Sequence, residues 1–200
     1  MPDSRCSSVV GNFEALRVLK WKPSTDIGMA SRTVYLATCR NAPSQRKHFG
    51  IFVPFADDPQ IGTIIHVVGA PMVGYELQFK RNYNPSSSQS SYQLVPIGQV
   101  SAANIVESPS GPTTIDSNAK GIMETVATQV PPPPISQNFL APVDGVFNKR
   151  CQEWTVEYVD RLISRNIIDA GARNVVQAHR DPPDHGVGLQ SVDRGRGRGV

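Results

Sequence analysis

The sequence has little of what marks several large protein classes. No apolar run in its 200 residues approaches the roughly 20 needed to span a bilayer. The opening residues, MPDSRCSSVVGNF, lack the basic patch and apolar stretch of a secretory signal, so a cytoplasmic location is the default expectation. There are only three cysteines, Cys6, Cys39 and Cys151, an odd and sparse set that makes a poor disulfide framework and leaves at least one thiol free. Charged residues make up 18% and the formal charge is +3, with part of the basic excess in the last few residues. Nothing in the middle of the chain calls for nucleic acid or an anionic membrane. No Gly-rich loop opens a helix with Lys-Ser or Lys-Thr, which excludes a phosphate loop. No Cys-x-x-Cys or His-x-x-x-His pair supports zinc, although two histidines and a cysteine could in principle supply three ligands. No cofactor is expected.

What is present is 17 prolines and 16 glycines, with much serine, arranged around better-patterned stretches. This composition predicts a folded middle with loose segments. Residues 1–30 read as a flexible N-terminal extension and 31–182 as a single α+β domain. A Pro/Ser-rich insertion or linker covers about 101–137, and 183–200 reads as a disordered Arg/Gly tail. The run Pro131, Pro132, Pro133 and Pro134 predicts a stiff extended spacer. A docking motif for a proline-binding domain is the alternative.

Four to five strands are predicted. Residues 33–37 (TVYLA), 48–53 (HFGIFV) and 63–68 (TIIHVV) are short, rich in β-formers, and bounded by turn residues. The second and third are joined by a turn, which predicts an antiparallel hairpin. Residues 75–83 (YELQFKRNY) alternate in the manner of a half-buried strand. Residues 92–97 (YQLVPI) suit an edge because Pro96 interrupts them. Cys151, Trp154, Thr155, Tyr158, Val159, Leu162 and Ile163 recur at steps of three and four, predicting an amphipathic helix. Gln152 and Glu153 fall on its other side. Asn148 reads as the N-cap, with Cys151 in the first turn. A weaker helix is predicted over 166–179, and Asp57, Asp58 and Asp181 read as turn residues.

A cysteine in the first turn of a helix, after Lys149 and Arg150, is the type of thiol that ionises readily, because the helix N-terminus and nearby cations favour thiolate. Unpaired N–H groups of that turn could hold an oxyanion. Histidine is the base that fits near neutral pH. His48 and His66 sit in the two hairpin strands, while His179 and His185 lie late, in loop-rich sequence.

The stretch His48-Phe49-Gly50-Ile51-Phe52, followed by Ile64-Ile65-His66-Val67 and much later by Cys151-Gln152-Glu153-Trp154, resembles the circularly permuted papain-like cysteine enzymes. The lecithin:retinol acyltransferase and NlpC-like groups are the nearest in this His-before-Cys order. HFGIFVP, GAPMVGYELQFKRNY and the CQEW segment also resemble a family of fungal proteins of unknown activity. The first resemblance departs at Arg150, where the acyltransferases carry Asn, and at the three residues after Cys151. It implies a papain-like antiparallel sheet packed by the helix bearing Cys151. It further implies a thiol-dependent acyl hydrolase or acyltransferase, acting on an acyl, amide or peptide substrate. In that scheme Cys151 is the nucleophile, His48 its base, and His66 the group that orients His48. The alternative is a catalytically inactive binding module on the same frame. A third use of the chain, RNA binding by Arg194-Gly195-Arg196-Gly197-Arg198-Gly199, is set aside because the repeat is short.

Overall fold

The computed structural model describes residues 30–87, 92–108 and 110–186. Residues 1–29 and the Arg-Gly repeat, on which an extension and a tail were expected, lie outside them. The elements are β1 Ser31–Cys39, β2 His48–Pro54, β3 Gly62–Ala70, β4 Gly74–Tyr83, β5 Gln93–Ser101, β6 Thr114–Asp116, α1 Ile122–Ala127, α2 Cys151–Ser164 and α3 Gly171–His179.

The fold is α+β. Six strands form one open antiparallel sheet in the order β5-β1-β2-β3-β4-β6. β1 to β4 run as consecutive hairpins, and β5 returns to pair with β1 at the far edge. That edge suits Pro96, which lies where the β1–β5 register shifts, since proline cannot donate to a ladder. β2 and β3 are central, and β2 after its first residue and residues 62–67 of β3 are buried, which is why they read as continuous apolar runs.

The two faces are sorted by strand alternation. Leu36, Ile51, Ile65 and Phe79 align across the register and join the main core with the helices. Ala37, Phe52, Ile64 and Tyr83 form a smaller cluster on the other side. α2 lies on the first face. Trp154 stacks on Tyr158 with ring centroids 5.4 Å apart. Each satisfies its polar end, Trp154 Nε1 donating to Val130 O at 3.0 Å and Tyr158 Oη to Met123 O at 3.0 Å. Full burial of each such side chain contributes about 1.5–3 kcal/mol.

Two features differ from the sequence reading, the elements within 101–137 and the cap of α2, and the proline run, extended as expected, gains a packing partner. The stretch 101–137 carries two short elements, β6 and α1. They are held by Arg81, 1% exposed, which donates to Asp116 and Glu124. Pro133 is buried, and its carbonyl accepts from Tyr75 N at 3.0 Å, so the proline run is laid along the start of β4. Asn148 is not the cap of α2. Its amide instead bridges three loop carbonyls, of Asn138, Ala141 and Pro142, and accepts from Ser136 Oγ. Arg150 is the capping residue, so Cys151 opens the helix.

Candidate functional site

His48 opens β2 directly opposite Cys39 of β1, and His66 lies on β3 opposite Gly50. Alternation puts His48, Gly50 and His66 on one face, and Phe49 and Ile51 in the core beneath α2. Gly50 makes the approach of the two imidazoles possible. A Cβ there would lie 2.9 Å from Ile64 Cγ2 and 3.0 Å from His66 Cβ. His48 Nε2 and His66 Nδ1 are hydrogen-bonded at 2.8 Å, with the rings edge to face.

Cys151 reaches the same place from the other side of the sheet. Pairing between β2 and β3 stops at Gly50 and His66, and the thiol lies against the first residues of β2 beyond that point. Its Sγ–H donates to Lys47 O at 3.7 Å. Among the described residues no hydrogen bond joins the thiol to His48. Cys151, His48 and His66 nonetheless line one cavity of about 560 Å³, together with Cys39, Tyr75 and Arg150. A second pocket, lined by Val53, Ile65 and Met123, has only about 10 Å³, room for about one water.

The electrostatics at rest are those of a neutral pair. Burial pushes the Cys151 thiol up to about 11, the reverse of the lowering expected from the helix N-terminus. The backbone N–H of Phe49 pulls the other way, Glu153 adds to the rise, and Arg46 and the Gln152 N–H oppose it. His48 is half-buried by surface, yet desolvation takes it down to about 4. His66, more deeply buried, falls to about 3 through desolvation and then through His48 and Lys80. Both imidazoles are therefore neutral at pH 7, the form that accepts a proton, and the thiol carries one to give. Tyr75 is raised by burial and next by the proximity of Cys151.

The frame around the thiol is polar and ionic. Gln152 and Glu153, expected on the solvent side of α2, are 0% and 3% exposed. Glu153 reaches back to Arg150 N at 3.0 Å and takes Arg46 and Arg180 at 3.0 and 2.6 Å. Asp181, expected as a turn residue, is buried. It accepts from Lys47 N, Arg40 and Gln152, tying the start of β2 to α2. His179 and His185 stand apart from the imidazole pair: His179 Nδ1 meets Val175 O, and His185 meets Arg40. No group of three His, Cys, Asp or Glu side chains among the described residues is arranged to hold a metal. No helix among them is long and apolar enough to cross a membrane. Cys39, Arg46 and Lys47 carried no role in the sequence reading, and Arg150 entered it only as a cation beside the thiol. The signal for Arg46 and Lys47 was local, since they immediately precede His48.

A family model described as a family of unknown function, DUF6540, matches residues 34–169. The chain belongs to that family. The DUF6540 match runs from β1 past the end of α2, so it takes in His48, His66 and Cys151. No curated protein and no solved structure matches the chain.

Proposed function

We propose that this DUF6540 chain is a thiol-dependent acyl hydrolase or acyltransferase that works through a thioester on Cys151. The observation that carries the reading is the sharing of one roomy cavity by a helix-opening thiol and a hydrogen-bonded histidine pair. The resemblance of these three segments to permuted papain-like enzymes supports the same roles.

His48 Nε2 is engaged with His66, so Nδ1 is the nitrogen left for the thiol. For Nδ1 to act as a base, its proton must sit on Nε2 and be donated to His66 Nδ1, which makes His66 the positioning residue. The thiol must first leave Lys47 O. Its proton then passes to His48 Nδ1 as Sγ bonds the acyl carbon. N–H groups at the start of α2 have no partner within the helix and stabilise the oxyanion. Collapse breaks the bond to the leaving group, which takes the proton from His48. Water, an amine or an alcohol then gives its proton to His48 and displaces the sulfur from the thioester, and the departing sulfur takes that proton from His48 to restore the thiol.

A second reading, a binding module without chemistry, is favoured by the donation of the thiol to Lys47 O and by its pKa of about 11. Incubation with a panel of activated acyl esters and thioesters, read by intact mass, separates the two. The proposal expects an acyl adduct mapped to Cys151 that hydroxylamine releases. It expects a drop in adduct formation of about 10²-fold or more in His48→Ala. No adduct, or one indifferent to His48, favours the binding module.

A further inference from the structure

Charge around the start of α2 does not balance. Asp181 faces Arg40 at 2.6 Å and Lys47 at 3.9 Å, and Glu153 faces Arg46 at 3.0 Å and Arg180 at 2.6 Å. Those two carboxylates are thus shared by four cations, and Arg150 makes a fifth. Arg150 is 9% exposed, and no carboxylate of the described residues lies within ion-pair distance of its guanidinium. The guanidinium donates to two backbone carbonyls, Gly186 O at 3.2 Å and Phe139 O at 3.0 Å. Its buried Nε–H finds no acceptor. An arginine has five N–H donors and stays charged, and a buried charge is costly unless an opposite one meets it.

Arg150 lines the cavity that holds Cys151, as do Arg46 and Lys47. No Asp or Glu among the described residues lines it. Its remaining wall mixes apolar side chains, Val68, Ala70 and Pro71, with polar ones, Asn41 and Gln45. We infer that this cavity binds its ligand by an oxyanion, a carboxylate or phosphate group, with Arg150 as the anchor. Arg46 and Lys47 already have carboxylates and add field rather than a second anchor. The inference does not depend on Cys151 being a nucleophile. If it is one, the anchor places an anionic acyl compound beside the sulfur.

The test follows the Arg150 Nε–H signal in the full chain labelled with 15N-arginine, assigned by its loss in Arg150→Lys. The protein is titrated with propionate, its neutral isostere propionamide, and inorganic phosphate. A saturable shift with propionate or phosphate and none with propionamide supports the inference, and the two anions tell which oxyanion fits. No saturable shift with either anion, or equal responses to propionate and propionamide, overturns it. A second readout is the ratio of Cys151 alkylation rates by iodoacetate and iodoacetamide in a Cys6→Ser, Cys39→Ser background. It should fall about tenfold in Arg150→Gln, the worth of one charge-assisted hydrogen bond; an unchanged ratio counts against the anchor. Should that variant fail to fold, the titration of the wild-type chain decides. A Cys151 that resists both reagents defeats the thiol-enzyme reading while the titration still settles the anion site.

Discussion

Gly50 and the two histidines show how much rests on single atoms. A methyl group at position 50 would press on both Ile64 and His66. Gly50→Ala is therefore expected to cost about 1–3 kcal/mol through overpacking and to push His66 off His48. Two measurements check it: chemical denaturation for the loss, and imidazole 15N shifts for the broken Nε2–Nδ1 contact. The same histidines set a pH dependence. Their folded pKa values lie below the unfolded value, so the unfolded chain binds more protons between them. Their contribution is complete above about pH 6.5 and is lost as pH falls toward about 4 for His48 and about 3 for His66. At pH 5 the loss from His66 is of order 2 kcal/mol. Denaturation midpoints from pH 7.5 to 5 should fall with pH in the wild type and fall less steeply in His66→Gln.

At the scale of elements, the first turn of α2 is held by ion pairs and hydrogen bonds from distant segments. Glu153 neutralises Arg46, whose side chain is 5% exposed, and also holds Arg180 and the Arg150 N–H. Glu153→Ala leaves a buried guanidinium uncompensated and is expected to cost about 3–5 kcal/mol, read by thermal or urea melting. Glu157→Ala, four residues on in a surface pair with Lys149, should cost under about 1 kcal/mol. The helix itself was legible, because Trp154, Tyr158 and Leu162 repeat at its period. The burial of Gln152 and Glu153 was not, because periodicity reports one neighbouring surface and the first turn has two. Segment 180–182 and the lead into β2 close over its other side, bringing Arg180, Asp181 and Arg46 from far away in sequence. Asn148 misled for a related reason. A polar residue before a helix looks like a cap, and only the folded loop reveals that its amide is spent on loop carbonyls.

Over the whole molecule, the four consecutive hairpin strands could be read from local pattern, whereas β6 and α1 could not. Those two short elements depend on Arg81, whose partners Asp116 and Glu124 lie 35 and 43 residues away. Glu124→Ala should raise hydrogen exchange across 114–127 and destabilise the fold by about 3–5 kcal/mol. His48, His66 and Cys151 were legible as types in suggestive places, and the fold brings them to one cavity. Their protonation was not legible, because desolvation belongs to the packed state. A helix N-terminus and two cations pointed to an acidic thiol, and burial outweighs both.

The central claim is that His48 activates Cys151. The pH dependence of Cys151 alkylation, in the intact chain and in His48→Ala, tests it most directly. The account predicts a reactive plateau at neutral pH, reached as His48 loses its proton near pH 4, and abolished in the variant. A single rise near pH 11 in both proteins would mean that the thiol answers to its burial alone, and the catalytic assignment would be wrong.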